Sequence, residues 1–199
     1  MTRARGRLIA LEGIDGSGKS TLADALARRW RSDGRRLGRW HEPTDLALGA
    51  RAAAANRTDP WQAAMLFTVD RAVHRPELEA LLRRADVIAD RSYYSTLAYQ
   101  GSALPVRART ALAKMQRDLA IPPDVVVLLD LPPALALQRV GRRGSSRSPL
   151  ERLATLRRVA RAYRAMAKRG RWVVLDARQL PEELAERAEA ALRRRRRRT

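Results

Sequence analysis

Residues Gly13 to Ser20 read G-I-D-G-S-G-K-S, which is the spacing G-x-x-x-x-G-K-[ST] of a phosphate-cradling loop, and they follow the apolar run Leu8-Ile9-Ala10-Leu11. Each residue type suits that chemistry. Glycines at 13, 16 and 18 let the backbone turn and approach an anion closely, so that successive N–H groups point into one concavity. Lys19 is placed to reach the β and γ phosphates of a nucleotide, and the Ser20 hydroxyl to sit on Mg²⁺. The stretch Gly13, Ile14, Asp15, Gly16, Ser17, Gly18, Lys19, Ser20 and Thr21 is therefore read as one nucleotide-binding unit, completed by the helix that starts near Thr21. Composition does not explain the lysine, because only three of the 41 basic residues are Lys.

Such a loop needs a strand leading in and a helix leading out. Short aliphatic runs alternate along the chain with longer amphipathic Arg/Ala/Leu segments, the pattern of a parallel sheet covered by helices. Strands are expected at about 7–12, 36–41, 86–90, 124–130 and 171–176. Helices are expected at about 18–32, 44–56, 60–84, 92–101, 105–119, 132–142, 149–169 and 181–194. This predicts an α/β protein of P-loop NTPase fold, with a five-stranded parallel sheet flanked by helices on both faces. One domain would span residues 1–192, with a short mobile lid at about 141–150 and a disordered poly-Arg tail at 193–199.

In such a sheet, ligands bind beyond the carboxyl ends of the strands. Those ends carry Glu12, then His41-Glu42-Pro43-Thr44-Asp45, then Asp90-Arg91, then Asp130. Charge at four buried strand ends points to one shared site. Asp90 could hold Mg²⁺ directly or through water, and Arg91 could clamp a phosphoryl group at two oxygens. The plainer reading of that pair is an internal ion pair, with Ser92 capping the next helix.

The formal charge of +20 would ordinarily suggest a polyanionic partner. Here the excess is spread along the chain and is almost all Arg, so it reads as a compositional bias that also attracts anionic nucleotides. The local exception is Arg193 to Arg198, six consecutive arginines through which alone nucleic acid would be engaged. Cysteine is absent, which excludes disulfides and thiolate metal ligands. No apolar run approaches 18 residues, and the first residues lead straight into a strand; the expectation is a soluble, cytoplasmic protein without a signal peptide or a membrane partner.

Five motifs together give the chain a family resemblance. They are L-E-G-I-D-G-S-G-K-S-T at the loop, E-P-T-D at 42–45, L-F-T-V-D-R-A-V-H at 66–74, D-R-S-Y-Y-S-T-L-A-Y-Q-G at 90–101 and P-D-V-V-V-L-L-D-L-P-P at 123–133. From Leu8 to about Leu184 the chain resembles the thymidylate kinases, which phosphorylate dTMP to dTDP with ATP. The resemblance implies Mg²⁺ as cofactor, ATP as donor, and a homodimer assembled through helices flanking the base site such as 60–84 and 92–101.

It also implies roles. Phe67 would stack on the thymine ring and Arg71 would donate to a thymine carbonyl; by itself Phe67 reads first as a core residue. Thr96 and Gln100 would read the remaining base edge, and Tyr99 would pack where a ribose 2′-hydroxyl would project. Glu42, Pro43 and Ser95 would help line the acceptor site. Arg91 would hold the acceptor 5′-phosphate, while Asp15 would meet the sugar hydroxyl or the metal shell, with Ser20 and Asp90 as the other metal residues. Some family members carry an Arg in the loop where this chain has Gly16. The transition-state charge would then fall to the lid, to Arg147 first and Arg143 second.

The chain departs from the family pattern at His41, where many members have an Arg on the acceptor phosphate, and around Pro149, Leu150 and Leu153. Two alternatives follow. One is a kinase acting on another deoxynucleotide or a deoxynucleoside, and the other is a polyanion-binding P-loop protein with weak kinase activity.

Overall fold

The computed structural model describes residues 5–56, 58–142 and 153–196. Five strands form one sheet: β1 (Leu8–Glu12), β2 (Leu37–His41), β3 (Asp86–Asp90), β4 (Val125–Asp130) and β5 (Val173–Asp176). Their order is β2-β3-β1-β4-β5, and every neighbouring pair is parallel. β1 therefore lies at the centre, with its carboxyl end flanked by those of β3 and β4. Leu11 and His41 both sit level with Asp90, which brings the loops after β1, β2 and β3 to one edge.

Successive side chains of a strand point to opposite faces, so a central strand must be apolar on both. Ile9, Leu11 and Ile88 pack with Leu22, Leu26 and Trp30 of α1 (Lys19–Ser32) on one face. Leu8, Val87 and Ala89 pack with Leu78 and Leu82 of α4 (Arg75–Leu82) on the other. The remaining helices are α2 (Leu46–Ala55), α3 (Pro60–Val73), α5 (Tyr93–Tyr99), α6 (Val106–Leu119), α7 (Pro133–Arg142), α8 (Leu153–Gly170) and α9 (Pro181–Arg196). The expected α/β architecture is thus present, with helices on both faces.

Three expectations need correction. The helix expected over 60–84 breaks at His74, which ends α3 and starts α4. Pro76 is the cause: it has no N–H for an i→i−4 bond, and its ring would clash with the preceding turn, so it is tolerated only in a helix's first turn. At the other end of the chain, α9 continues through Arg196, so residues 193–196 are helical rather than part of a disordered tail. Arg193 Nη2 donates to Glu189 one turn back at 2.8 Å and to Asp33 at 3.2 Å, offsetting repulsion among neighbouring arginines. Finally, Asp130 is drawn away from the shared strand-end site. It pairs with Arg164 of α8 at 2.9 Å.

Candidate active site

The loop between β1 and α1 has the backbone its glycines suggest. Gly13 and Gly16 adopt φ of 149° and 82°, and a Cβ on them would lie 2.7 Å from the Leu129 carbonyl oxygen and 2.6 Å from that of Ala136. No side chain caps α1, so its first N–H groups face the concavity and favour an anion there. Lys19 Nζ donates to the carbonyls of Gly13 and Ile14 at 3.1 and 3.2 Å. Burial, reinforced by the nearby Arg91, lowers its ammonium to about 8. Ser20 and Thr21 are exposed at the start of the helix, and Ser17 is buried beneath it.

Ser20 Oγ donates to Asp90 Oδ2 at 2.5 Å, while Asp90 Oδ1 is buried without a hydrogen-bond partner. A hydroxyl beside an orphaned carboxylate oxygen is a donor set that suits a hard divalent cation, and Mg²⁺ needs only one or two such protein oxygens alongside phosphates. No group of three or more His, Cys, Asp or Glu among the described residues could hold a metal alone. The geometry fits a cation shared with a nucleotide.

The side expected to meet the acceptor is built on the turn from β3 into α5. Arg91 has φ of 78°, in the left-handed region that non-glycine residues rarely occupy. Its Nη2 bonds Asp15 in an ion pair, and its Nη1 donates to Ser95 Oγ at 3.1 Å. Burial pushes the Asp15 carboxyl up, but Arg91 and Lys19 outweigh it and hold the group below its ordinary value. Tyr99 Oη accepts the Asp15 backbone N–H at 2.9 Å, and the Arg91 guanidinium lies 5.3 Å over the Tyr99 ring. Asp15 thereby ties the loop both to Arg91 and to Tyr99 of α5.

One cleft collects the rest. It is lined by Asp15, Glu42, Pro43, Phe67, Asp70, Arg71, Arg91, Ser95, Thr96, Tyr99 and Gln100. All nine residues expected to meet the acceptor are in that set, although they come from the β2 loop, α3, the β3–α5 turn and α5 with its C-cap Gln100. Phe67 is half-buried and lines the cleft rather than joining the core. A roomier groove of about 710 Å³ lies on the reverse sides of α5 and α8, past Tyr94, Arg109 and Trp172, and contains none of these nine.

Arg71 is more constrained than its sequence position suggested. Its Nε donates to both Glu42 oxygens at 3.1 and 3.0 Å, and its Nη2 donates to Glu42 Oε2 at 2.6 Å and to Thr96 Oγ1 at 3.3 Å. Nη1 donates to Gln116 Oε1 at 2.7 Å. A guanidinium has five N–H groups, so a single Nη1 hydrogen is left over for a ligand. Gln100 Nε2 donates to Asn56 Oδ1 at 3.1 Å, which fixes that amide at the cleft wall.

Several supporting residues were not identified from the sequence. Gln116 is fully buried and also donates to Thr68 Oγ1 at 2.5 Å, so it orients Arg71 from α6. Asp70, 1% exposed, accepts the N–H groups of Thr44 and Asp45 at 2.9 and 2.7 Å and so holds the β2 loop, whose Glu42–Pro43 peptide is cis. Asp70 lies within L-F-T-V-D-R-A-V-H at 66–74, so the sequence carries a signal for it. Gln116 and Asn56 carried none, because their partners lie 45 and 44 residues away. His41 is exposed at the end of β2. Arg143 and Arg147, the expected lid arginines, lie outside the described residues.

The sequence profile of thymidylate kinases matches residues 11–188. A probable thymidylate kinase of Archaeoglobus fulgidus is 38% identical over 182 residues, covering 90% of this chain and 91% of that protein. A probable thymidylate kinase of Methanosarcina barkeri is 37% identical over 188 residues, covering 89% and 91%. A thymidylate kinase of Xylella fastidiosa is 39% identical over 168 residues, covering 81% and 75%. The chain belongs to the thymidylate kinase family.

Proposed function

We propose that this member of the thymidylate kinase family transfers the γ-phosphoryl group of ATP to the 5′-phosphate of dTMP, giving dTDP and ADP. The observation that carries the reading is the single cleft beside the phosphate loop, in which Phe67, Arg71, Thr96 and Gln100 surround space for a base while Arg91 and Asp15 stand at the phosphate end. An acceptor phosphate oxygen forms the new bond to the γ-phosphorus as the bond to the β–γ bridging oxygen breaks and leaves with ADP. The protein has little covalent work here; positioning and charge neutralisation lower the barrier.

The loop N–H groups and Lys19 hold the donor phosphates, whose charge recovers the ammonium that burial disfavours. Arg91 exchanges part of its Asp15 pairing for the acceptor phosphate. The single Nη1 hydrogen of Arg71 donates to a thymine carbonyl, and Phe67 stacks on the ring. Ser20 and Asp90, with Asp15 nearby, would hold Mg²⁺, which supplies charge neutralisation between the phosphates. Arg147, with Arg143 as the second candidate, carries the transition-state charge, because a side chain at residue 16 would collide with α7.

Assembly as a homodimer is supported by α3, on which Val69 and Val73 are 48% and 61% exposed four residues apart. The 92–101 segment does not offer a comparable face, since Tyr93, Ser95, Thr96, Ala98 and Tyr99 are buried within the chain. No helix among the described residues is long and apolar enough to cross a membrane. A cytoplasmic setting, where ATP and nucleotides are at hand, goes with this reading.

The test is ADP release with ATP and Mg²⁺ across dTMP, dUMP, dCMP, dGMP, UMP and thymidine, with Lys19→Ala as blank. Preference for dTMP is expected. Preference for another acceptor would overturn the assignment and direct attention to His41 and the base cleft.

A further inference from the structure

We propose that Tyr163, on α8, is a positioning residue that sets Arg91 through the buried pair Glu12 and Ser95. The proposal rests on the reading of Arg91 as the clamp for the acceptor phosphate. Glu12 ends β1 and is fully buried, and its two carboxylate oxygens collect four donors. Oε1 accepts from the Ser92 N–H at 2.8 Å and from Ser92 Oγ at 2.7 Å. Oε2 accepts from Ser95 Oγ at 2.7 Å and from Tyr163 Oη at 2.9 Å. Ser95 Oγ also lies 2.9 Å from Tyr163 Oη.

Proton bookkeeping gives this cluster a direction. Ser95 has one hydroxyl proton, which Glu12 or Tyr163 can take, whereas Arg91 has only protons to give. Its lone pairs are therefore free to accept from Arg91 Nη1, as observed at 3.1 Å. Removing the Tyr163 hydroxyl leaves Glu12 one donor short and lets the serine hydroxyl turn. Arg91 is sensitive to such a change because its backbone is held at φ 78°, a conformation that persists only where the surroundings over-determine it.

A second route runs to the same ion pair. The Tyr163 ring meets Tyr99 edge-on, with centroids 6.4 Å apart and planes at 81°, and Tyr99 Oη holds the Asp15 N–H. Both members of the Arg91–Asp15 pair are thus buttressed from α8, through a residue that is 1% exposed and lines no part of the cleft.

Tyr163→Phe keeps the ring and removes only the O–H. With ATP, Mg²⁺ and dTMP, kcat/KM for dTMP should fall about tenfold, while KM for ATP stays unchanged. In the double variant with Ser95→Ala the losses should not multiply, since both act on one contact. Glu12→Gln places an amide N–H₂ against hydroxyl donors and should give the same selective loss, which keeps the test decisive if either variant folds poorly by circular dichroism. Unchanged kcat/KM in Tyr163→Phe, equal losses toward ATP and dTMP, or multiplying losses would each overturn the proposal. Arg91→Ala separates the two levels: if it leaves KM for dTMP unchanged, the reading of Arg91 fails, whereas a large rise with a normal Tyr163→Phe defeats only the role of Tyr163.

Discussion

Lys19 combines two demands that conflict until a phosphate arrives. Burial beside Arg91 lowers its ammonium to about 8, so the free protein loses this charge as pH rises through that value. The profile of kcat/KM for ATP reports groups of the free enzyme, and it should therefore fall about tenfold between pH 7 and 9, while kcat holds to higher pH because bound phosphates restore the charge. A flat kcat/KM profile would contradict this. Gly16 is a second residue with a sharp expectation. Gly16→Arg introduces a Cβ 2.6 Å from the Ala136 carbonyl oxygen at φ 82°, so thermal unfolding should show a loss of at least about 1–3 kcal/mol and turnover should not rise. The motif spacing made the loop legible in the sequence, and the family resemblance supplied the nine residues that line the cleft with Asp15 and Asp70. Gln116, Asn56 and Tyr163 were not legible, because each acts only through partners brought near by folding. Tyr163 in particular sits in an Arg/Ala-rich helix where a buried aromatic reads as core.

At the scale of elements, the strands were the easier part. All but β2, which reads L-G-R-W-H, are apolar runs that end in an acid, and β1 and β3 fall within a residue of their expected limits. The break between α3 and α4 is masked in the sequence although Pro76 marks it, because the apolar period continues across the proline into Leu78 and Leu82. The extension of α9 was missed because like charges in sequence say nothing of the acids they meet in space, here Glu189 and Asp33. α3 carries a consequence for assembly: its inner face supplies Phe67 and Arg71 to the cleft while Val69 and Val73 are exposed. Val73→Asp should convert a dimer to a monomer in sedimentation velocity. A monomeric parent protein, or a variant that remains dimeric, would remove α3 from the interface.

Over the whole molecule, the charge of +20 acts on association more than on fold. KM for both nucleotides should rise as salt is raised from about 0.05 to 0.5 M, while kcat changes little. Truncation after Arg194 spares the Arg193 contacts that tie α9 to α1, and should leave turnover with dTMP unchanged. A loss of turnover would favour a working role for the arginine block. In the proposed reaction, donor and acceptor phosphates occupy two halves of one site, the loop and the Arg91 cleft. Calorimetric titration of ATP and of dTMP into the parent protein, Lys19→Ala and Arg91→Ala tests it most directly. A crossed pattern is expected, in which Lys19→Ala loses ATP affinity and keeps dTMP while Arg91→Ala does the reverse; loss of the same ligand in both variants, or dTMP binding untouched by Arg91→Ala, would rule out the two-half site.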